Sequence, residues 1–168
     1  MGFVITNSES SLFTYSQGLD RAYLLLYVDD IILTTSSDGL HKRIITQLKT
    51  EFPRSDLEPL SYFLGIAVSR TPTYTLLSQQ NYAQEVLGRA GMRNCKLVAT
   101  PVDTKSKLSA DSGPNFQDST KYHNLVGALQ YLTFTRPDIA YAVQHVCLFM
   151  HDSRESHYDA LERILRYI

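Results

Sequence analysis

Apolar and polar positions change their spacing several times along the chain, and each change predicts an element. Phe3 to Ile5 and Ser11 to Tyr15 read as two short strands around a polar turn at Asn7 to Ser10. Ala22 to Val28 and Ile31 to Thr35 read as the two arms of a hairpin. Their nearly unbroken apolar character predicts a sheet covered on at least one face. The spacing then lengthens. Leu40, Ile44, Leu48 and Phe52 recur every fourth residue, the stripe of an amphipathic helix. Ser36-Ser37-Asp38 offers N-cap oxygens ahead of that helix, and Pro53 stops it.

Tyr62 to Arg70 and Tyr74 to Leu77 predict a second hairpin around Thr71-Pro72-Thr73. Ser78 is placed to cap a helix running to about Ala90, with Gly91 ending it in the left-handed conformation. From Met92 to Asp118 the chain is polar and carries Pro101, Gly113 and Pro114, the pattern of a long connection. The last third is helical. Leu125, Leu129 and Leu132 mark one helix face within Tyr122 to Thr133. Pro137 suits the first turn of the next helix, with Asp138 beside its positive end. Ala140, Val143, Cys147 and Met150 are its expected buried stripe. Tyr158 to Ile168 is amphipathic, with Leu161, Leu165 and Ile168 apolar and Arg163 and Arg166 polar. The expected fold class is α+β, antiparallel sheet with packed helices followed by a helical region.

One sequence breaks the apolar pattern. Asp29 and Asp30 interrupt the run from Leu24 to Leu33. Unpaired ionised carboxylates in an apolar setting cost several kcal/mol. A hairpin removes that cost by carrying both acids to its tip, where they present hard oxygen ligands suited to Mg²⁺. Asp is also a common turn residue, so the pair alone is equally compatible with plain turn chemistry. Two-metal chemistry needs more carboxylates than one such pair supplies.

The surroundings add to this. Tyr27-Val28-Asp29-Asp30 resembles the Tyr-Val-Asp-Asp box of reverse transcriptases. Gly2-Phe3 and Ser11-Leu12-Phe13 resemble the segment before that box in copia-type LTR retrotransposons. Downstream come Leu60 to Ile66, Leu77-Ser78-Gln79 with Tyr82-Ala83, and Thr100-Pro101. Leu125 to Leu132, Thr135 to Ile139 and Arg163 to Tyr167 complete the series. The blocks keep the family's order over nearly the whole chain.

The resemblance implies a partial polymerase palm over residues 1–77 and a helical thumb or connection region over 78–168, with a polar linker near 92–118. It implies an RNA-directed DNA polymerase that uses two Mg²⁺ ions for nucleotidyl transfer. Asp29 and Asp30 are then the catalytic, metal-binding acids. Tyr27 and Val28 lie against the primer terminus or template base. Phe63, Leu64, Gly65 and Ile66 resemble the strand that holds the primer. An RNA or DNA template with primer and deoxynucleotides are the implied partners. The family's third catalytic carboxylate and its fingers precede this segment, and its RNase H region comes after it. The chain alone is therefore expected not to polymerise, and a non-catalytic nucleic-acid- or protein-binding remnant, or a relic without function, is the alternative. Three positions depart from the family pattern: Thr35, Glu58 after Asp56-Leu57, and Ala67 after Gly65-Ile66.

Bulk properties narrow the picture only slightly. The 168 residues suffice for a sizeable core, and 43% hydrophobic content suits a globular fold. A formal charge of −1 gives no global electrostatic pull toward nucleic acid. Cys95 and Cys147 form no C-x-x-C motif, so free thiols in a reducing, intracellular setting are expected. No apolar run approaches the ~20 residues of a membrane span, and no signal peptide pattern opens the chain. His145, Cys147, His151 and His157 match no common zinc spacing, so the histidines are expected at the surface and Cys147 in the core.

Overall fold

A computed structural model describes residues 2–7, 9–52, 58–103, 108–109 and 113–168. The chain forms two compact units, Met1–Leu60 and Ser61–Ile168. The first holds a four-stranded antiparallel sheet in the order β1-β2-β3-β4. Its strands are β1 (Val4–Ile5), β2 (Leu12–Gln17), β3 (Asp20–Tyr27) and β4 (Asp30–Thr35). One helix, α1 (Asp38–Glu51), comes next.

Period-two alternation explains how α1 meets the sheet. Ala22 and Leu24 on β3 share a face with Phe13 and Tyr15 of β2, opposite which they are registered. Leu33 and Ile31 on β4 extend that face. Leu40, Ile44 and Leu48 of α1 close over it as one small core. The expected helix stripe therefore holds for three of its four members. Phe52 is the C-cap residue and 55% exposed, because the helix ends before its side chain comes round to the sheet. Ser37 caps the other end, its hydroxyl accepting the Leu40 N–H at 3.3 Å. Pro53, the expected stop, lies outside the described residues.

The second unit begins with a three-stranded sheet, β5 (Tyr62–Phe63), β6 (Ile66–Arg70) and β7 (Thr75–Ser78). Four helices come after it: α2 (Gln80–Ala90), α3 (Ser119–Leu132), α4 (Ala140–Cys147) and α5 (Glu155–Tyr167). Gly91 ends α2 at φ 75, as expected. Ser78 does not cap α2. It closes β7, and Gln79 takes the cap position without a side-chain cap bond. The buried Gln79 side chain instead accepts the Thr135 hydroxyl at 2.9 Å.

The helical core is continuous. Val86 of α2, Tyr122, Leu125, Leu129 and Leu132 of α3, Val143 and Val146 of α4, and Leu161, Ile164 and Leu165 of α5 pack together. Tyr122 is fully buried, and its hydroxyl donates to the Val146 carbonyl at 2.7 Å. Burial pushes that phenol well above its ordinary range.

Two expectations about α4 and the histidines need correction. Pro137 to Ile139 wind as a 3-10 turn rather than as the start of an α-helix. Three residues per turn there shift the phase of α4. The buried set is Ile139, Ala142, Val143 and Val146, while Ala140 is exposed and Cys147 only half-buried. His157 is fully buried, not at the surface. Its Nδ1 accepts the Arg154 N–H at 3.0 Å and its Nε2 meets the Ser109 carbonyl at 2.9 Å. The ring stacks on Phe149 at 3.8 Å. Both ring nitrogens are committed to backbone groups, which explains how a polar ring is buried without loss.

The stretch from 92 to 118 is anchored at several of its described residues. Val98 N–H donates to the Arg166 carbonyl at 3.3 Å, and Phe116 stacks on Tyr158 at 4.2 Å. Arg163 donates to the Thr100 carbonyl at 3.1 Å and to its hydroxyl oxygen at 3.0 Å. Among the described residues, no helix is long and apolar enough to cross a membrane.

Arg136 forks onto Asp138, donating at 2.9 and 2.8 Å, and its guanidinium lies 5.4 Å from the Tyr167 ring centre. The guanidinium holds the Asp138 carboxyl below the usual range. A depressed carboxyl stabilises the fold above the unfolded pKa of about 3.9, and that contribution is lost as pH falls through the folded value. Asp138→Asn is accordingly expected to lower stability at pH 7 and to lower it less at pH 2. Urea titrations of both proteins at the two pH values test this.

Candidate functional site

The acidic pair sits where its sequence demands. β3 and β4 are registered Tyr27 to Asp30 and Leu26 to Ile31, so Val28 and Asp29 are the two central residues of a tight turn. Val28 takes φ 51 and is 89% exposed. A β-branched residue in that region is strained, and such strain persists where surrounding structure enforces it. Here the fully paired arms of the hairpin enforce it. Asp29 and Asp30 are both exposed. Asp30 lies on the sheet face opposite α1, across from Tyr27 and beside Leu25 and Ile32. That open face also carries Leu12, Tyr23 and Val4. An apolar, half-exposed surface thus leads up to two carboxylates.

The other acids of the first strands are engaged elsewhere. Asp20 starts β3, so it lies seven residues, roughly 23 Å, from the far end of that strand, and it pairs with Arg43 at 3.7 Å. Glu9 lies in the turn at the same sheet end as Asp29, but its carboxylate accepts the Ser11 hydroxyl at 2.6 Å. That bond holds the Glu9 carboxyl below its ordinary range. Among the described residues, no three His, Cys, Asp or Glu side chains gather closely enough to hold one metal ion.

The second set of candidate residues forms a turn. The expected single strand from Tyr62 to Arg70 is broken at Leu64-Gly65, and Phe63 pairs with Ile66 across the break. Leu64 takes φ 47 and Gly65 φ 80, the paired positive angles of a type I′ turn. Gly65 is needed for this backbone angle rather than for space, since an added Cβ would meet only ordinary contacts at 3.9 and 4.0 Å. The Tyr131 hydroxyl of α3 donates to the Leu64 carbonyl. Tyr82 meets the Tyr131 ring edge-on at 5.3 Å. Of the candidate residues, Tyr27 to Asp30 lie in the first unit and Phe63 to Ile66 in the second. Asp56 and Leu57, part of one departure from the family pattern, lie outside the described residues.

Sequence reasoning recognised Tyr131, Gln79, Thr135, Arg163 and Thr100 only as parts of resembling blocks. The structure gives those blocks a physical role, since they bond to one another: Gln79 to Thr135, Thr100 to Arg163, and Tyr131 to the Leu64 turn.

Comparison with known proteins bears on the whole segment. Residues 1–104 match the family model described as reverse transcriptase (RNA-dependent DNA polymerase). The full chain is 45% identical to the retrovirus-related Pol polyprotein from transposon RE1 of Arabidopsis thaliana and 43% identical to that from transposon RE2. It spans only 12% of the length of each. An uncharacterized mitochondrial protein of Arabidopsis thaliana is 47% identical over 87% of this chain and 60% of its own length. No solved structure matches. The chain therefore belongs to the reverse transcriptase family, as a segment like that found in copia-type retrotransposon Pol polyproteins.

Proposed function

We propose that the β3–β4 hairpin is the catalytic tip of a polymerase palm, acting within a larger polyprotein that carries out RNA-directed DNA synthesis. The observation that carries this reading is the Tyr27–Asp30 register, with adjacent carboxylates on an exposed turn next to an open apolar sheet face. The donors fit a hard divalent cation: carboxylate oxygens, accessible to solvent, with no competing cation paired to them among the described residues. Two Mg²⁺ ions, when bound, would activate the primer 3′ hydroxyl and offset charge on the departing pyrophosphate.

The chain's own residues then have distinct tasks. Asp29 is the principal ligand, and Asp30 is the supporting carboxylate. Their carboxylates sit on a turn whose backbone is held by paired strands, so little reorganisation would be needed to hold the cations. Tyr27 and Val28 offer a ring and a small apolar group to the primer terminus or template base. Phe63 to Ile66 hold the primer, with the tight Leu64-Gly65 turn allowing backbone approach. Residues 1–77 serve as palm and 78–168 as thumb or connection. The remaining carboxylate ligand, the fingers and the RNase H region come from other parts of the polyprotein.

Primer extension by the polyprotein carrying this region tests the proposal. The Asp29→Asn, Asp30→Asn double variant should bind primer–template and fail to extend it. Equal extension by the variant would refute the catalytic role. A wild-type protein that binds primer–template but extends nothing would leave a binding module as the function.

A further inference from the structure

The Leu64-Gly65 turn is an unusual piece of chain. Both central residues hold positive φ, and one of them is leucine. Type I′ turns favour Asn, Asp or Gly at these positions because other side chains are strained there. Gly65 suits its position, but Leu64 disfavours this turn, and β5 contributes only Tyr62 and Phe63 to its flank. Something outside the hairpin has to hold it.

The structure contains that support. Tyr131 of α3 reaches across 67 residues of sequence and donates its hydroxyl proton to the Leu64 carbonyl. Its ring is fixed on two sides, edge-on to Tyr82 at 5.3 Å and to Phe134 at 5.7 Å. A ring wedged between two aromatic neighbours has few alternative rotamers, so its hydroxyl is a preset donor. The carbonyl it takes belongs to the peptide that joins the two positive-φ residues. The bond therefore acts on the turn's orientation and not on the strands alone.

We infer that Tyr131 is a positioning residue for the primer-holding turn, setting the orientation of the Leu64–Gly65 peptide from the helical core. This rests on the reading of Phe63 to Ile66 as the primer-holding segment. It adds a residue 67 positions from Leu64, which would act through the turn. It also assigns a job to the aromatic trio Tyr82, Tyr131 and Phe134. Phe134 is exposed and Tyr131 half-buried, and of the three only Tyr82 packs against the buried core.

Tyr131→Phe isolates the claim, since it keeps the ring contacts and removes only the hydroxyl. In the isotope-labelled chain, the Leu64 and Gly65 amide resonances should shift and broaden, with the melting temperature changed by no more than a few degrees. Unmoved resonances would overturn the inference. In the polyprotein, KM for primer–template should rise about 2- to 10-fold, the worth of one hydrogen bond, with kcat nearly constant. A merely structural tyrosine would move the turn resonances without raising KM at constant kcat. A moved turn with unchanged KM would also overturn it. The underlying reading is checked separately by a primer bearing a photoreactive 3′ nucleotide on the wild-type protein. Cross-links within residues 63–66 support that reading, and their absence defeats it whatever Tyr131→Phe does.

Discussion

Asp29→Asn should lower nucleotide incorporation by the polyprotein at least about 100-fold, with the loss in kcat and primer–template affinity changed less than about threefold. Removing one group that stabilises transition-state charge, here through the cations it would hold, costs about 10²–10³ in rate, or roughly 3–4 kcal/mol. Asparagine has the same shape as aspartate and is well tolerated in turns, so the hairpin should fold as before. Asp29 is exposed at the turn, and substitutions at such positions usually change stability by less than about 0.5 kcal/mol. The change therefore removes charge and little else. Asp30→Asn should act in the same direction with a smaller effect, since Asp30 begins β4 and is proposed as the supporting carboxylate. Steady-state primer extension with separate KM and kcat values distinguishes these outcomes. A rise in KM with kcat intact would assign Asp29 to binding instead.

Leu129→Ala should produce the largest loss of stability, about 2–5 kcal/mol. Leu129 lies in the last turn of α3 with no solvent exposure, within the core shared by α2 to α5. Truncation removes buried apolar surface and leaves a cavity that close-packed neighbours cannot fill. Total stabilities of about 5–15 kcal/mol make this a large fraction of what holds a domain folded. Leu97→Ala is the matched control, because Leu97 is 76% exposed and its loss should cost less than about 0.5 kcal/mol. Urea unfolding monitored by circular dichroism measures both. Similar midpoints for the two variants would contradict the helical core as described.

The acidic hairpin was legible because two independent signals coincide there. The apolar arms have strand character, and a charge pair in their middle has low cost only at a tip. The α1 stripe was legible for a similar reason, since Leu40, Ile44 and Leu48 repeat at one helical turn and meet the sheet. Legibility failed where tertiary contacts override local pattern. Tyr62 to Arg70 reads as one strand because Leu64 carries no turn chemistry; its turn is secured by Tyr131, far off in sequence. The α4 stripe was out of phase because a 3-10 turn at Pro137–Ile139 cannot be told from an α-helical start by composition. His157 was expected at the surface because nothing local announces that Ser109 and Arg154 will satisfy both ring nitrogens. The resembling blocks of the last third were recognisable as a family pattern, while their reason, mutual hydrogen bonding, required coordinates.

The most direct test of the catalytic-tip assignment is Mn²⁺ binding read through amide resonances of the isotope-labelled chain. Mn²⁺ replaces Mg²⁺ at oxygen sites and broadens nearby signals. The assignment predicts broadening centred on Val28, Asp29 and Asp30, reversed by excess Mg²⁺ and absent from the Asp29→Asn, Asp30→Asn variant. Broadening that spares the hairpin tip, or that persists unchanged in the double variant, would contradict it.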